Sequence, residues 1–365
     1  IPILIRNHLE KASEKDGLPI PEVDSGALKS LCKYHWPENI RELHSILDRI
    51  LATAPSRESI SLNQMPPEIN QLASQRKKTK LNKLNSSQQR TLKRSVVLYG
   101  SGLHKGLKTG LILQPLPPES GIIFSNISNG QTIPARLENI ISTNYSTTLY
   151  KGKASVATIE HIMAVLHMYH ITNLLIKIGD EVPVMDGSSK DFCELIEDGG
   201  IEEQDEPSQE LIIDKKYTFG PQEQETPHIS IEPSDTFKVS YHMEYPTPIG
   251  IMDHTFEYVD EESFKKEIAP ARTFGFIKDI AQLTKMGFAS GGNLDNFILL
   301  GDGKVINTEL RFENEFPRHK ILDILGDFYL LGKPIRGHIR ANKSGHTQNI
   351  GLLKILTNAE IQHPL

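Results

Sequence analysis

The amino-acid sequence predicts an α+β protein: two similar α+β domains preceded by a small all-helical segment. Three observations carry this expectation. The first 70 residues show helical periodicity and little else. From Arg90 the texture changes to short runs rich in β-branched and aromatic residues, bounded by turn formers. In both stretches that follow, 90–206 and 207–365, strands come first and helices after, although no sequence repeat relates them. A hydrophobic content of 38% and a charged content of 24% leave enough apolar residues for real cores. A length of 365 residues admits one large or two to three ordinary domains.

In chain order, Ile3 to Ala12 is amphipathic, and Asp24 or Ser25 can cap a helix through Tyr34 that Trp36-Pro37 breaks. A further helix runs from about Asn39 to Ala54. Residues 71–89 read as a basic linker, with Arg76, Lys77, Lys78, Lys80 and Lys83 among Ser, Asn and Gln. A solvated tether is the first reading of this run; contact with anionic lipid or nucleic acid is the second. Strands are expected at Thr91–Leu98, Gly110–Leu113 and Gly121–Phe124, with a turn at Gly102–Gly106 that makes His104 a turn or wall residue. Thr147-Thr148-Leu149 leads into a helix opened by Glu160 and His161. Asn173–Ile178 reads as a strand, and Met185–Ser188 as a loop before a helix near Asp191–Glu197. The acidic run Ile201–Pro207 marks a second boundary. Beyond it come strands at Glu210–Asp214, His228–Ile231 and Thr236–Tyr245, and a helix near Glu261–Ile268. Next come a helix over Phe276–Met286, a loop at Gly291-Gly292, the helix of His319, a strand at Ile335–Ala341 and a closing helix from His346 to about Thr357.

The net charge of −6 gives no general case for nucleic-acid binding, and none is expected. Cys32 and Cys193 lie far apart, which fits a reducing compartment and excludes a cysteine-based zinc site. No apolar run approaches the roughly 18 residues of a membrane helix, and no signal peptide is evident. The sequence starts at Ile1 rather than methionine, as a fragment or a processed chain would.

Two stretches carry chemistry. In Phe316–Asp327, Pro317 suits a first helical turn, and Ile321, Leu322, Ile324 and Leu325 supply an apolar face. His319, Asp323 and Asp327 are spaced four apart, so they stack on one side with Cβ atoms roughly 6 Å from their neighbours. Such a group can hold one divalent metal, and mixed nitrogen and oxygen ligands suit zinc. An ordinary surface His/Asp pair has the same spacing. In Val156–His170, Glu160 and His161 follow Thr158, a plausible N-cap, and open a helix that is otherwise apolar. An unpaired charge buried there is costly, which points to metal binding by one residue and proton handling by its neighbour. His161, His319 and Asp323 would make three protein ligands and leave a fourth position for water, the catalytic pattern.

These residues carry a resemblance. Thr158–His161, Val184-Met185-Asp186-Gly187-Ser188, Ala271-Arg272-Thr273-Phe274-Gly275-Phe276, Arg318-His319-Lys320 through Asp323, and Lys343-Ser344-Gly345-His346 occur in one order. Over about residues 88–358 the chain resembles the UDP-3-O-acyl-N-acetylglucosamine deacetylases, zinc amidases of lipid A synthesis. The resemblance implies two two-layer α/β-sandwich domains facing each other across a zinc site. It implies a Zn2+ cofactor, a UDP-3-O-acyl-N-acetylglucosamine substrate, a cytoplasmic location and, as expected here, a monomer. Glu160 would be the general base, with the carboxylate of a helix N-terminus as its ordinary role. His346 would protonate the leaving amine and Asp327 would keep it charged and oriented; otherwise His346 reads as a capping residue. Thr273 would donate to the tetrahedral intermediate, or be a plain strand or turn residue. Lys320 would contact the sugar or carbonyl side, or face solvent. Phe274, Phe276 and Gly292 would contact substrate. An acyl passage could be walled by Phe276, Ile277, Ile280, Leu283 and Met286, a stripe that would serve an ordinary core almost as well. A nucleotide-contacting lysine known in some members falls at Glu232-Pro233 and is not transferred.

His35-Trp36-Pro37-Glu38-Asn39-Ile40-Arg41-Glu42-Leu43 resembles the lid subdomain of AAA+ enhancer-binding transcription activators. In that family the arginine matching Arg41 senses nucleotide. Glu38 stands where glycine is usual, and the chain has no G-x-x-x-x-G-K-[ST] loop. The segment is therefore read as a remnant or fusion partner, with a docking function as the alternative. A transcription-related interaction protein built on it is the competing reading of the chain. A zinc-bound inactive relative finds no support, because no proposed catalytic position is missing.

Overall fold

The structure is a computed structural model that describes residues 2–24, 27–28, 31, 39–53, 59–61, 64–65, 88–221, 226–286 and 290–362. The chain divides into two compact units, 1–86 and 87–365, each with its own apolar core.

In the first unit, α1 (Pro2–Asp16) and α2 (Asn39–Thr53) supply most of the core. Leu43, Leu47, Ile50 and Leu51 recur at helical spacing and are buried with Ile5, Leu9 and Leu31. Asp24 behaves as a cap: its Oδ1 accepts from Ala27 N at 2.6 Å. The helical expectation omitted one feature, a parallel pairing of β1 (Glu22–Val23) with β2 (Ser59–Ile60). Trp36-Pro37, the side chain of Arg41 and the basic run from Arg76 to Lys83 lie outside the described residues.

The second unit opens with β3 (Gln88–Leu92), β4 (Val96–Ser101), β5 (Lys108–Pro115), β6 (Ile122–Asn126) and β7 (Thr132–Pro134). The single strand expected over Thr91–Leu98 is thus two, and Gln88 and Gln89 belong to the first of them. The chain turns at Lys93 and Arg94, whose N–H groups bond to Gly200 O and Gly199 O. Next come β8 (Ile140–Ser142), β9 (Thr148–Lys151), β10 (Ala154–Val156), helix α3 (Glu160–Met168), β11 (Leu174–Ile178) and α4 (Lys190–Gly199). The acidic run is a strand, β12 (Ile201–Pro207), antiparallel to β3. Its charges sit on an edge pairing, where one face stays in water.

The rest comprises β13 (Leu211–Ile212), β14 (Tyr217–Phe219), β15 (His228–Glu232), β16 (Lys238–Tyr245), β17 (Gly250–Glu257) and α5 (Glu261–Glu267). After these come β18 (Phe274–Phe276), α6 (Ile277–Lys285), β19 (Ile298–Gly301), β20 (Lys304–Val305), α7 (Glu315–Phe328), β21 (Ile335–Arg336), β22 (His338–Asn342) and α8 (His346–Gln362). No strand is expected from the sequence at β17. It is an edge strand whose residues are mostly half-buried or exposed, so it lacks a clean apolar alternation.

The two halves share one topology. The first main sheet has the order β4-β5-β11-β6-β7 and the second β14-β15-β22-β16-β17. In each, two antiparallel hairpins flank a later central strand, which runs antiparallel to one neighbour and parallel to the other. A helix precedes that central strand and another follows it: α3 and α4 in the first half, α7 and α8 in the second. Two layers of sheet and helix result in each half, and the helices of both share one continuous core. Each half also carries an insertion before its first core helix: the β8-β9-β10 sheet in one, and β18, α6, β19 and β20 in the other.

Every residue of α3 is buried, and so are nearly all of α7. Pro317 lies in the first turn of α7, where it displaces no helical hydrogen bond. Thr158 is not the N-cap of α3. It has a left-handed φ of 60°, and its hydroxyl donates to Glu181 Oε1 at 3.3 Å. The start of α7 is tied to the irregular segment just before β18 by a buried ion pair. Arg272 Nε and backbone N both donate to Glu315 Oε1, at 2.8 and 3.0 Å, and Arg311 N donates to Oε2 at 2.6 Å. Glu315 is fully buried. Removing one partner of such a pair strands the other charge in the interior. Glu315→Ala is therefore expected to destabilise the protein by about 3–5 kcal/mol. A denaturant melt showing no loss of stability would contradict that reading.

Candidate active site

Helices α3 and α7 cross at close range. The crossing depends on Gly326, where a Cβ would lie 2.0 Å from Glu160 O. The contact brings the first turn of α3 against the polar side of α7, so residues far apart in sequence converge. One nitrogen of His161, one of His319 and one carboxylate oxygen of Asp323 lie within 4.8 Å of one another, all buried. Asp323 Oδ1 is 3.9 Å from His161 Nε2 and 3.5 Å from His319 Nε2. His319 Nδ1 is 3.1 Å from Ala271 O, which fixes the tautomer with Nε2 unprotonated. Lys320 Nζ donates to the other Asp323 oxygen at 2.6 Å, leaving Oδ1 towards the two imidazoles.

The protonation states fit metal ligands. Burial, reinforced by the neighbouring imidazole, pulls His161 down to about 3, and burial likewise lowers His319. Burial alone would raise Asp323, but Lys320 and the histidines around it hold it well below the usual carboxylate range. Two neutral imidazoles and one carboxylate could hold a divalent cation, whose ligands must be free of protons. Lys320 does not face solvent, since its ammonium is held against Asp323.

Beside this trio sits a proton-handling group. Glu160 is buried, and desolvation raises its carboxyl to about 7 against the opposing charge of His346. His346 opens α8, an unfavourable place for a cation. Burial would lower it further. The Asp327 carboxylate, 2.8 Å from Nδ1, outweighs both and holds His346 up to about 9. On the far side, His346 Nε2 lies 3.9 Å from Glu160 Oε1. Asp327 accepts from Asn349 Nδ2 at 2.8 Å and from Thr147 Oγ1 at 2.6 Å.

A cavity of about 580 Å³ opens over these groups, lined by Glu160, His161, His319, Lys320, Asp323 and His346. Thr273, Phe274 and Phe276 line it from the α6 insertion, Thr143 and Tyr145 from the β8–β9 connection, and His104 from the β4–β5 turn. His104 is thus a wall residue. Thr273 is held by its backbone N–H, which donates to Gly187 O at 2.8 Å. Gly187 has φ 88°, and a side chain there would strike Asn296 O. Gly292 is not among the lining residues; its neighbour Gly291 packs on the turn at Gly102–Gly106 instead. The apolar stripe of α6 is not a core stripe, because Ile277 and Met286 are each 51% exposed. The side chain of Leu283 lies outside the described residues.

Residues 89–358 match the family model for UDP-3-O-acyl N-acetylglycosamine deacetylase. The chain belongs to that family. A UDP-3-O-acyl-N-acetylglucosamine deacetylase from Thermodesulfovibrio yellowstonii is 41% identical over 270 residues, 73% of this chain and 91% of that protein. Proteins of the same description from Syntrophotalea carbinolica and Campylobacter fetus are 42% and 39% identical, covering 89% and 92% of their own lengths. Residues 1–82 match a second model, the AAA+ ATPase lid domain. The chain is therefore a deacetylase-family enzyme with a buried His-His-Asp group able to hold a metal, preceded by a lid-like segment. No helix among the described residues is long and apolar enough to cross a membrane.

Besides the lining residues Thr143 and Tyr145, two partners of Asp327 escaped the sequence reading. Asn349 lies three positions after His346 on α8, a spacing that could have flagged it. Thr147 gives no comparable signal, since only the tertiary fold brings it to Asp327.

Because the folded His346 pKa lies above its ordinary 6.5, its ionised form adds stability that is complete below pH 6.5 and is lost as pH rises through about 9. Asp327→Asn removes the carboxylate that sustains the charge, so burial should then prevail. In an NMR titration His346 is expected to fall from about 9 to below its ordinary value. A ring still titrating near 9 would assign the shift to another group.

Proposed function

We propose that the chain removes the N-acetyl group of UDP-3-O-acyl-N-acetylglucosamine by zinc-dependent hydrolysis, giving UDP-3-O-acyl-glucosamine and acetate for lipid A synthesis. The observation that carries this reading is the convergence of Glu160, His161, His319, Asp323 and His346 in one buried cavity of a deacetylase-family chain. The relatives named above support the substrate. A nucleotide-linked substrate and the free thiol of Cys193 support action in the cytoplasm.

His161, His319 and Asp323 would hold the zinc, which matches a catalytic site with three protein ligands of nitrogen and oxygen type. When bound, zinc supplies a water acidic enough to lose its proton near neutral pH. Glu160 would accept a proton at its carboxylate, since a carboxyl held near 7 by burial is tuned to take one and give it up again. Thr273 donates its hydroxyl to the oxyanion of the tetrahedral intermediate, with Lys320 on the carbonyl and sugar side. His346 delivers a proton from Nε2 to the departing amine, while Asp327 retains the proton at Nδ1. Phe274 and Phe276, with the exposed Ile277 and Met286 beyond them, offer the acyl chain an apolar path.

The metal is catalytic rather than structural on this reading. Its ligands come from both halves, and each half has its own apolar strands and helices with which to build a core. Asp323→Ala is expected to abolish zinc retention and acetate release, while its thermal midpoint in chelator matches that of chelated wild type. Loss of wild-type secondary structure on chelation would make the site structural. Bound zinc still adds stability by mass action.

All the catalytic groups lie in the second unit, so residues 1–85 carry none of the chemistry. A chain beginning at Ser86 is expected to release acetate at the rate of the full chain. If it folds but is inactive, the lid-like segment belongs to the enzyme.

A further inference from the structure

We infer that Thr147 is a positioning residue that sets Glu160 and His346 in register with each other through its backbone N–H and its hydroxyl. The inference rests on the catalytic reading above and extends it to a residue that does not line the cavity.

Thr147 is fully buried, one residue before β9. Its N–H donates to Glu160 Oε2 at 3.1 Å, and its carbonyl accepts from Ile159 N at 3.4 Å, just ahead of α3. Its hydroxyl donates to Asp327 Oδ1 at 2.6 Å and lies 3.3 Å from His346 Nδ1. Asp327 uses its other oxygen for His346 Nδ1 and Asn349 Nδ2. With Glu160 Oε1 3.9 Å from His346 Nε2, a ring closes: Thr147 to Glu160, Glu160 to His346, His346 to Asp327, Asp327 to Thr147.

Two features of this ring go beyond ordinary satisfaction of a buried threonine. First, one residue of the first half reaches a carboxylate of the second, so the bond spans the interface on which the site is built. Second, a carboxylate that orients an imidazole can pivot unless both oxygens are engaged. Thr147 engages the oxygen that His346 and Asn349 leave open. Proton transfer tolerates little misplacement of the donor, so loss of the hydroxyl acts on the chemical step rather than on substrate binding.

The test uses the zinc-loaded full chain and measures acetate release. Thr147→Val keeps shape and backbone N–H while deleting the hydroxyl, and is expected to lower kcat by about 10-fold or more, part of the 10²–10⁴ ascribed to positioned proton transfer. KM should stay within about two-fold, and Thr147→Ser, which retains the hydroxyl, should recover most of kcat. In an Asp327→Asn background the same change should cost less than about two-fold, because both substitutions break one path. A Thr147→Val enzyme with wild-type kcat would overturn the inference. So would a serine variant as slow as the valine one, or losses that multiply in the double variant. Should the valine variant not fold, Thr147→Ala removes the hydroxyl without added bulk and is judged by the same outcomes. An NMR titration of the His346 ring gives a readout independent of turnover. If the wild type releases no acetate, the functional reading fails, and a ring that titrates identically in Thr147→Val and wild type separately overturns the role given to Thr147.

Discussion

The structure depends on one backbone approach: α7 lies against α3 so closely that residue 326 can have no side chain. At Gly326 any Cβ would enter the carbonyl of Glu160. That contact determines where the first turn of α3 sits relative to the i, i+4 ladder of α7. His161 thereby meets His319 and Asp323, and Glu160 falls beside the group formed by His346 and Asp327. A wider crossing would leave each side chain in its proper rotamer and still separate the donors. The His-His-Asp group, the carboxylates beside it and the shape of the cavity floor all inherit their precision from a dispersion contact between two helices.

The repeated topology explains why this crossing lies at the centre. α3 and α7 hold corresponding positions in their halves, each preceding the central strand of a five-stranded sheet. Packing two such layers helix to helix puts the pair in the middle of a shared core. The polar residues there are affordable because nearly every one has a partner of opposite charge or a hydrogen-bonding group close by. The two insertions before these helices differ completely. One supplies Thr143 and Tyr145 to the cavity, the other Thr273, Phe274 and Phe276. Common scaffolding thus carries the buried polar groups, and divergent insertions shape the space above them.

Much of this was legible in the sequence, for identifiable reasons. The ladder His319, Asp323, Asp327 has helical spacing, and a Glu-His pair opening an apolar helix is costly without a purpose, so both stood out. The halves were visible as strands followed by helices. Their common strand order was not, because topology depends on pairing partners rather than on residue periodicity. β17 was missed because an edge strand with one solvated face has little apolar alternation. Thr158 looked like a cap by residue type, but its left-handed backbone serves Glu181 instead. Gly292 does not line the cavity, and its neighbour Gly291 instead packs on the turn at Gly102–Gly106. The lid-like segment was recognised through residues whose side chains lie mostly outside those described, and through a family model over residues 1–82.

The complete burial of α3 and near-complete burial of α7 has a further consequence for motion. Amides in such helices exchange with solvent only through openings that cost nearly the full unfolding free energy, whereas surface insertions open far more cheaply. The α6 insertion, with its exposed apolar face, belongs to the second class. It can open without disturbing the arrangement of the polar groups on α3 and α7. The buried polar ladder and the cavity rim thus belong to different cooperative units of the same fold, and selection can adjust one while leaving the other in place.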